Sequence, residues 1–309
     1  MYLARSGRRI EILILLVSLL LNFSMSYAAS PVPRKPARLF DYDRSAPFDL
    51  KETSSKEQTG VIIKDVNYAA YDPKHGRPPA YLVKPKGAGP FAGVIFFHWL
   101  GKPNPDRNEF LEEAVAMAQH GVVSLLIQGR YPWLEKWTDG QADRQRVIEQ
   151  VIEVRRAIDL LLAQPEVDKR RIAFVGHDYG AMYGAIAAGV ERRVKAYVLM
   201  AGTSSFSTWS LKYWPATAAQ GEDTYRRLTD EVDPIRHISH AQRAALLFQF
   251  SNSDEFIPKA TATEFSDAAG KGKEVKWYDA DHELNIEAAR KDRREWLARR
   301  LGLNYANQE

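Results

Sequence analysis

The sequence predicts an α/β fold: a three-layer sandwich with a mostly parallel eight-stranded sheet, helices on both faces, and a small excursion after the sixth strand. Two observations carry this. Short continuous apolar runs such as Gly93–His98 and Val122–Gln128 have the length and character of buried strands. They alternate with segments of helical period, which is the signature of βαβ units.

Taken in order, Val61–Tyr71 and Ala80–Lys84 read as the first two strands, separated by Asp72-Pro73-Lys74-His75-Gly76. Gly93–His98 is the third. Asn108–His120 follows as a helix, with Phe110, Leu111, Val115, Met117 and Ala118 at helical spacing. Val122–Gln128 is the fourth strand, and Gln141–Ala163 a long amphipathic helix. Arg171–Val175 is the fifth strand and runs directly into Gly176-His177-Asp178-Tyr179-Gly180. A small-residue helix, Ala181–Val190, comes next. Val194–Met200, Ala244–Phe250 and Glu274–Tyr278 complete the strands, and Asn285–Leu301 closes the chain as a helix. Residues 203–242 are too long for a simple crossover and read as a partial lid.

The chain has 309 residues, enough to bury a large core without staples. It contains no cysteine, which excludes disulfides, zinc–thiolate sites, iron–sulfur clusters and cysteine nucleophiles. The net charge is +4, but Arg5, Arg8, Arg9 and Glu11 supply +2 of it. No dense Lys/Arg block interleaves with aromatics, so nucleic acid is not an expected partner.

Those early arginines precede Ile12–Leu21, which is apolar apart from Ser18, and then Ser26-Tyr27-Ala28-Ala29-Ser30. Residues 1–29 therefore read as a signal peptide cleaved near Ala28 or Ala29. The apolar run is shorter than the roughly 20 residues a membrane span requires. The mature protein is expected in a periplasm or outside the cell, with no membrane association. Residues 30–59, with Pro31, Pro33, Pro36 and Pro47 among charges and no period, read as an arm. The main domain is expected over 60–305.

The chemistry-bearing residues fall at strand carboxyl ends, where open α/β sheets place their sites. Gly176-His177-Asp178-Tyr179-Gly180 is a tight strand-to-helix turn with Asp178 at its apex. Asp254 follows the Ala244–Phe250 strand, and His282 follows the last strand. The order nucleophile, acid, histidine gives a candidate triad of Asp178, Asp254 and His282. Asp279 and Asp281 lie close to His282 in sequence, but an orienting acid belongs at the end of the preceding strand. The amides of Tyr179 and Trp99 are the candidate oxyanion hole. His98, Arg130, Trp209 and Tyr213 are candidate substrate-binding residues, with His98 also placed to brace the oxyanion loop. Trp99, Trp133, Trp137, Trp209 and Trp214, five of seven tryptophans, gather at these ends or in the excursion. Tyr131, Tyr213 and Tyr225 are candidate acids. No metal-ligand spacing and no phosphate-cradling glycine loop of the dinucleotide type is present, so no cofactor is expected.

The span from about 61 to 302 resembles the α/β-hydrolase superfamily. Its compact layout and the Asp233-Pro234 and Asp254 contexts look most like the dienelactone-hydrolase branch. The elbow departs from that branch, which carries cysteine there, and from most esterases, which carry serine. Gly176-His177-Asp178-Tyr179-Gly180-Ala181 resembles instead the elbow of epoxide hydrolases and haloalkane dehalogenases. Those families usually carry a large cap and a His-Gly-x-Pro stretch; here that stretch reads His98-Trp99-Leu100-Gly101, and the excursion is short.

An aspartate at the elbow changes the chemistry. With a reference pKa of about 3.9 it needs no base to become a nucleophile. Attack on an ester carbonyl gives an anhydride, uphill of the ester; attack on a strained or halogenated carbon gives a stable ester. The expectation is an exported hydrolase acting through an enzyme–ester intermediate on a small epoxide or organohalide. A dienelactone-hydrolase-like hydrolase of esters or lactones, and a non-catalytic binding protein on the same fold, are the alternatives. Oligomeric state is not legible.

Overall fold

The computed structural model describes residues 36–101, 106–131, 139–214, 219 and 221–303. The expected signal peptide, Trp133 and Trp137 lie outside the described residues.

Nine strands form one sheet. They are β1 Lys51–Gln58, β2 Val61–Asn67, β3 Pro79–Pro85, β4 Phe91–Phe97, β5 Val122–Ile127, β6 Val167–His177, β7 Ala196–Met200, β8 Ala245–Ser251 and β9 Lys273–Tyr278. Their order is β1-β2-β3-β5-β4-β6-β7-β8-β9. The pairs β1–β2, β2–β3 and β3–β5 are antiparallel, and every pair from β5 to β9 is parallel. β4 and β5 are almost wholly buried along their length, as strands covered by helices on both faces must be.

The helices are α1 Pro36–Leu39, α2 Leu111–Ala118, α3 Gly140–Leu162, α4 Tyr179–Val190, α5 Phe206–Tyr213, α6 Glu222–Thr229, α7 Pro234–Ile238, α8 Lys259–Ala268 and α9 Glu287–Leu301. The excursion after β7 is α5, α6 and α7. Ser205 caps α5 by accepting the Thr208 amide at 3.1 Å. Buried Asp233 accepts the Phe206 amide and the Ser205 hydroxyl, each at 2.8 Å. Burial pushes its carboxyl up to about 6, against those hydrogen bonds. Among the described residues no helix is long and apolar enough to cross a membrane.

β1 and α8 are additions to the eight strands and main helices expected from the sequence. β1 has almost no buried side chain, so its residues carry no apolar alternation. It forms because Thr59 and Gly60, both at positive φ, close a two-residue hairpin onto β2. The arm before it is also bound to the domain. Arg156 on α3, fully buried, donates to the carbonyls of Ala69 at 2.8 Å and Pro47 at 2.8 Å. Arg155 donates to the Phe40 carbonyl at 2.6 Å. The described residues before 60 thus pack against the same unit as the sheet, from Phe40 onward.

Candidate active site

β6 delivers Asp178 at the point where the order of strands reverses around β4. β6 ends at His177 and α4 starts at Tyr179, so one residue makes the turn. Asp178 adopts φ 51°, ψ −113°, a conformation that costs a non-glycine residue about 1–3 kcal/mol. Its amide donates to the Met200 carbonyl at 2.8 Å, and its carbonyl accepts the Met182 amide at 3.0 Å. The flanking glycines are required by space. A Cβ on Gly176 would stand 2.3 Å from the Gly180 carbonyl oxygen, and one on Gly180 would stand 2.1 Å from that of Phe97.

Asp178 is 4% exposed, and its Oδ1 is buried with no hydrogen-bond partner. The amides of Tyr179 and Leu100 favour the charged form of the carboxylate. His282 Nε2 lies 3.9 Å from Oδ1. On the other side of the ring, His282 Nδ1 is 2.9 Å from Asp254 Oδ2 and 3.0 Å from Oδ1. Asp254 is itself fixed by the amides of Phe256 at 2.9 Å and Ile257 at 2.8 Å. A carboxylate facing Nδ1 keeps a proton there, so Nε2 presents its lone pair toward Asp178 when the ring is neutral.

The charges are arranged to match. Burial raises the Asp178 carboxyl, with the charges of His282 and His177 and the two amides acting against that rise. Burial would lower His282, but the hydrogen bond to Asp254 and the charges of Asp178 and Asp254 outweigh it, and the net shift is upward. Asp254 is held below its ordinary value: burial raises it, and His282 and the two amides more than compensate.

No protein-family model and no curated protein matches the chain by sequence. Solved structures do match by fold. Acetyl xylan esterase 1 from Thermoanaerobacterium sp. JW/SL YS485 superposes with a TM-score of 0.67 at 18% identity, over 85% of this chain and 92% of that one. A Klebsiella pneumoniae protein assigned as a dienelactone hydrolase gives 0.57 at 16% identity, over 78% and 98%. S-formylglutathione hydrolase from Agrobacterium tumefaciens gives 0.62 at 16% identity, over 82% and 100%. The chain has the α/β-hydrolase fold. Its frame is like that of dienelactone hydrolase.

Within the α/β-hydrolase frame the structure brings Asp178, Asp254 and His282 together. Asp279 instead accepts the Asn252 side chain at 2.8 Å. The Trp99 amide, expected to face the nucleophile, donates to Glu109 at 2.7 Å, while the Leu100 amide acts on the Asp178 carboxyl. Sequence alone cannot choose between consecutive amides in a loop.

His98 faces away from the nucleophile. Its Nε2 accepts the Gly129 amide at 2.8 Å, which puts the proton on Nδ1, 2.5 Å from the Trp99 carbonyl. Burial keeps it below its ordinary value, so it is a neutral brace for the oxyanion loop rather than a substrate ligand.

Trp209 and Tyr213 do arrive beside the triad. The Trp209 ring lies 6.5 Å from that of His282 and donates its Nε1 proton to the Tyr179 hydroxyl at 2.8 Å. Tyr213 packs on Trp209 at 4.6 Å and donates to the Phe256 carbonyl at 3.1 Å. Phe256, which the sequence reading missed, stands edge-on to His282 at 5.0 Å. Of the other tyrosines expected as acids, Tyr131 donates to the His98 carbonyl at 2.8 Å and Tyr225 to Asp143 at 2.9 Å.

Arg130 is not with the triad; it lines a separate cleft with His75 and Glu153. Glu109 and His177 were also missed as site residues. His177 Nδ1 is 2.7 Å from Glu109, and its Nε2 is 3.1 Å from the His282 carbonyl. Among the described residues no three His, Asp or Glu side chains converge to hold a metal ion.

Proposed function

We propose that this protein is a hydrolase in which Asp178 is the nucleophile and His282, oriented by Asp254, is the base. The observation that carries the reading is the free oxygen of Asp178 beside the histidine. Oδ1 is buried and unpartnered, 3.9 Å from His282 Nε2. Oδ1 attacks a saturated carbon, and the bond from that carbon to its leaving atom breaks with the electron pair going to that atom. The product is an ester of Asp178. His282 Nε2 then takes a proton from water, and the hydroxide adds to the Asp178 carboxyl carbon. The Tyr179 and Leu100 amides, which already favour negative charge on this carboxyl, stabilise the oxyanion. Collapse expels the alcohol, which takes its proton from His282, and leaves Asp178 as the carboxylic acid; its proton passes to the freed His282 and on to solvent, which restores the carboxylate.

An epoxide or organohalide suits this sequence. An ester substrate would drive Asp178 to an anhydride, so the esterase names of the fold neighbours do not carry over to this elbow. We also take the mature chain to be exported, on the leader-like character of its first 29 residues.

The test is intact mass and peptide mapping of His282→Gln after exposure to a panel of epoxides, alkyl halides and activated esters. The variant should stall with an adduct on the Asp178 peptide, whose mass identifies the substrate class. No adduct, with the wild type inert on the whole panel, counts for a binding protein. Wild-type ester turnover without any adduct counts for the ester or lactone reading.

A further inference from the structure

One strand-end arginine remains outside the triad's surroundings. Arg130 follows β5 at its carboxyl end, with its side chain exposed. Its amide is held by Gln150 at 2.8 Å, but its guanidinium has no hydrogen-bond or ion-pair partner among the described residues. It rims a cleft of about 90 Å³ shared with His75, Arg146, Glu149, Gln150 and Glu153.

The floor of that cleft holds two buried polar atoms without partners, Glu153 Oε2 and His75 Nδ1. The two side chains are 6% and 5% exposed. Glu153 Oε1 accepts the Tyr71 amide at 3.0 Å, so only Oε2 is left over. His75 Nε2 lies 3.1 Å from the Glu149 carboxylate, which places the imidazole proton there and leaves a lone pair on Nδ1. An unsatisfied buried polar atom costs about 1–3 kcal/mol. Both atoms line the cleft that Arg130 rims, with His75 Nδ1 4.0 Å from Glu153 Oε1, and they offer a ligand one donor and one acceptor position.

The surrounding charges select the ligand's sign. Glu149 is met by Lys74 at 3.0 Å as well as by His75. Arg146 lies 3.9 Å from Asp143. Burial pushes Glu153 up to about 7, and the Tyr71 amide, Arg156 and Arg130 oppose that rise while Asp72 adds to it. Burial also holds His75 below its ordinary value, with Arg130 and Lys74 adding to the effect and Glu149 and Asp72 opposing it. Below neutral pH the floor is therefore uncharged and the rim cationic. A planar guanidinium matches the two oxygens of a carboxylate. A dianion would meet Glu149.

We propose that this cleft binds a small carboxylate monoanion, one oxygen on Arg130 and the other accepting the proton of Glu153. The site is distinct from the triad. Tyr131 lines the cleft and packs its ring 5.1 Å from that of Tyr179, forming the wall between the two.

The test is calorimetric titration of the full chain with sodium acetate, with sodium chloride at matched ionic strength as reference, at pH 6 and pH 8. Acetate should bind saturably, and about tenfold more weakly at pH 8, because the competent protonated fraction of Glu153 falls by that factor around a pKa of about 7. Arg130→Gln, a change at an exposed side chain, should weaken binding at least tenfold at pH 6. Glu153→Gln should keep binding, its amide donating in place of the carboxyl, and lose the pH dependence. Acetate behaving as chloride does, Arg130→Gln binding as wild type, or binding that tightens from pH 6 to pH 8 would each overturn the proposal.

Discussion

At Asp178 the fold works against its own stability. The folded pKa lies above the unfolded one, so folding carries a cost wherever the carboxyl is ionised, and the cost disappears as pH falls through the folded pKa. Asp178→Asn should therefore be more stable than wild type at pH 8, by about 1 kcal/mol or about 2–4 °C in Tm, with the gap closing on acidification. Thermal melts across pH 4–8 check this; a variant less stable than wild type at pH 8 would remove the argument. His282 runs the other way. Its folded pKa is raised, so its contribution is present below about pH 6.5 and is lost as pH rises through the folded value. The convergence of Asp178, Asp254 and His282 was legible because each follows the carboxyl end of a strand. The Leu100 amide was not, because every residue but proline carries the same donor.

At the scale of elements, Glu109 ties three loops together from the residue pair preceding α2. One oxygen takes the Trp99 amide of the oxyanion loop, and the other takes His177 of the elbow, which in turn holds the His282 carbonyl. Both ring nitrogens of His177 face oxygen atoms of other segments. Trp99 stacks on that ring at 5.0 Å, 10° from parallel. Glu109→Gln preserves the size of the side chain and offers one acceptor where two donors converge. It should lower turnover, or adduct formation, by about 10²-fold through misplacement of the catalytic groups. The melting temperature should change by no more than about 2 °C. Parallel rate and melting measurements separate this from general destabilisation: a large Tm loss with an unchanged rate would contradict it. No periodicity marks Glu109, because its partners are 10, 68 and more residues away in the chain.

At the scale of the whole molecule, the arm before the first expected strand is part of the fold. Phe40 is fully buried, and its removal forfeits about 1.5–3 kcal/mol of apolar burial. Arg156 would lose the Pro47 and Ala46 carbonyls and remain buried. A chain beginning at Gly60 should lose at least about 3 kcal/mol, or about 6 °C, relative to one beginning at Ser30. If the leader is cleaved as proposed, exported protein should begin at Ala29 or Ser30, which N-terminal mass mapping reads directly. The sequence shows the arm but not its packing, because the arm is held by main-chain carbonyls and a hairpin, neither of which leaves an apolar pattern.

The sequence by itself determined the layer architecture, the parallel strands and the strand-end placement of Asp178, Asp254 and His282. Buried strands need continuous apolar runs, and the elbow needs two glycines where carbonyl oxygens stand within 2.3 Å of any Cβ. Only the tertiary structure decided what those residues face. It turned the Trp99 amide to Glu109, held both ring nitrogens of His98 against the backbone, and carried Arg130 to a different cleft. It also set Phe256 against His282. Such choices depend on distances between segments remote in the chain, and a linear pattern of residue types does not encode them.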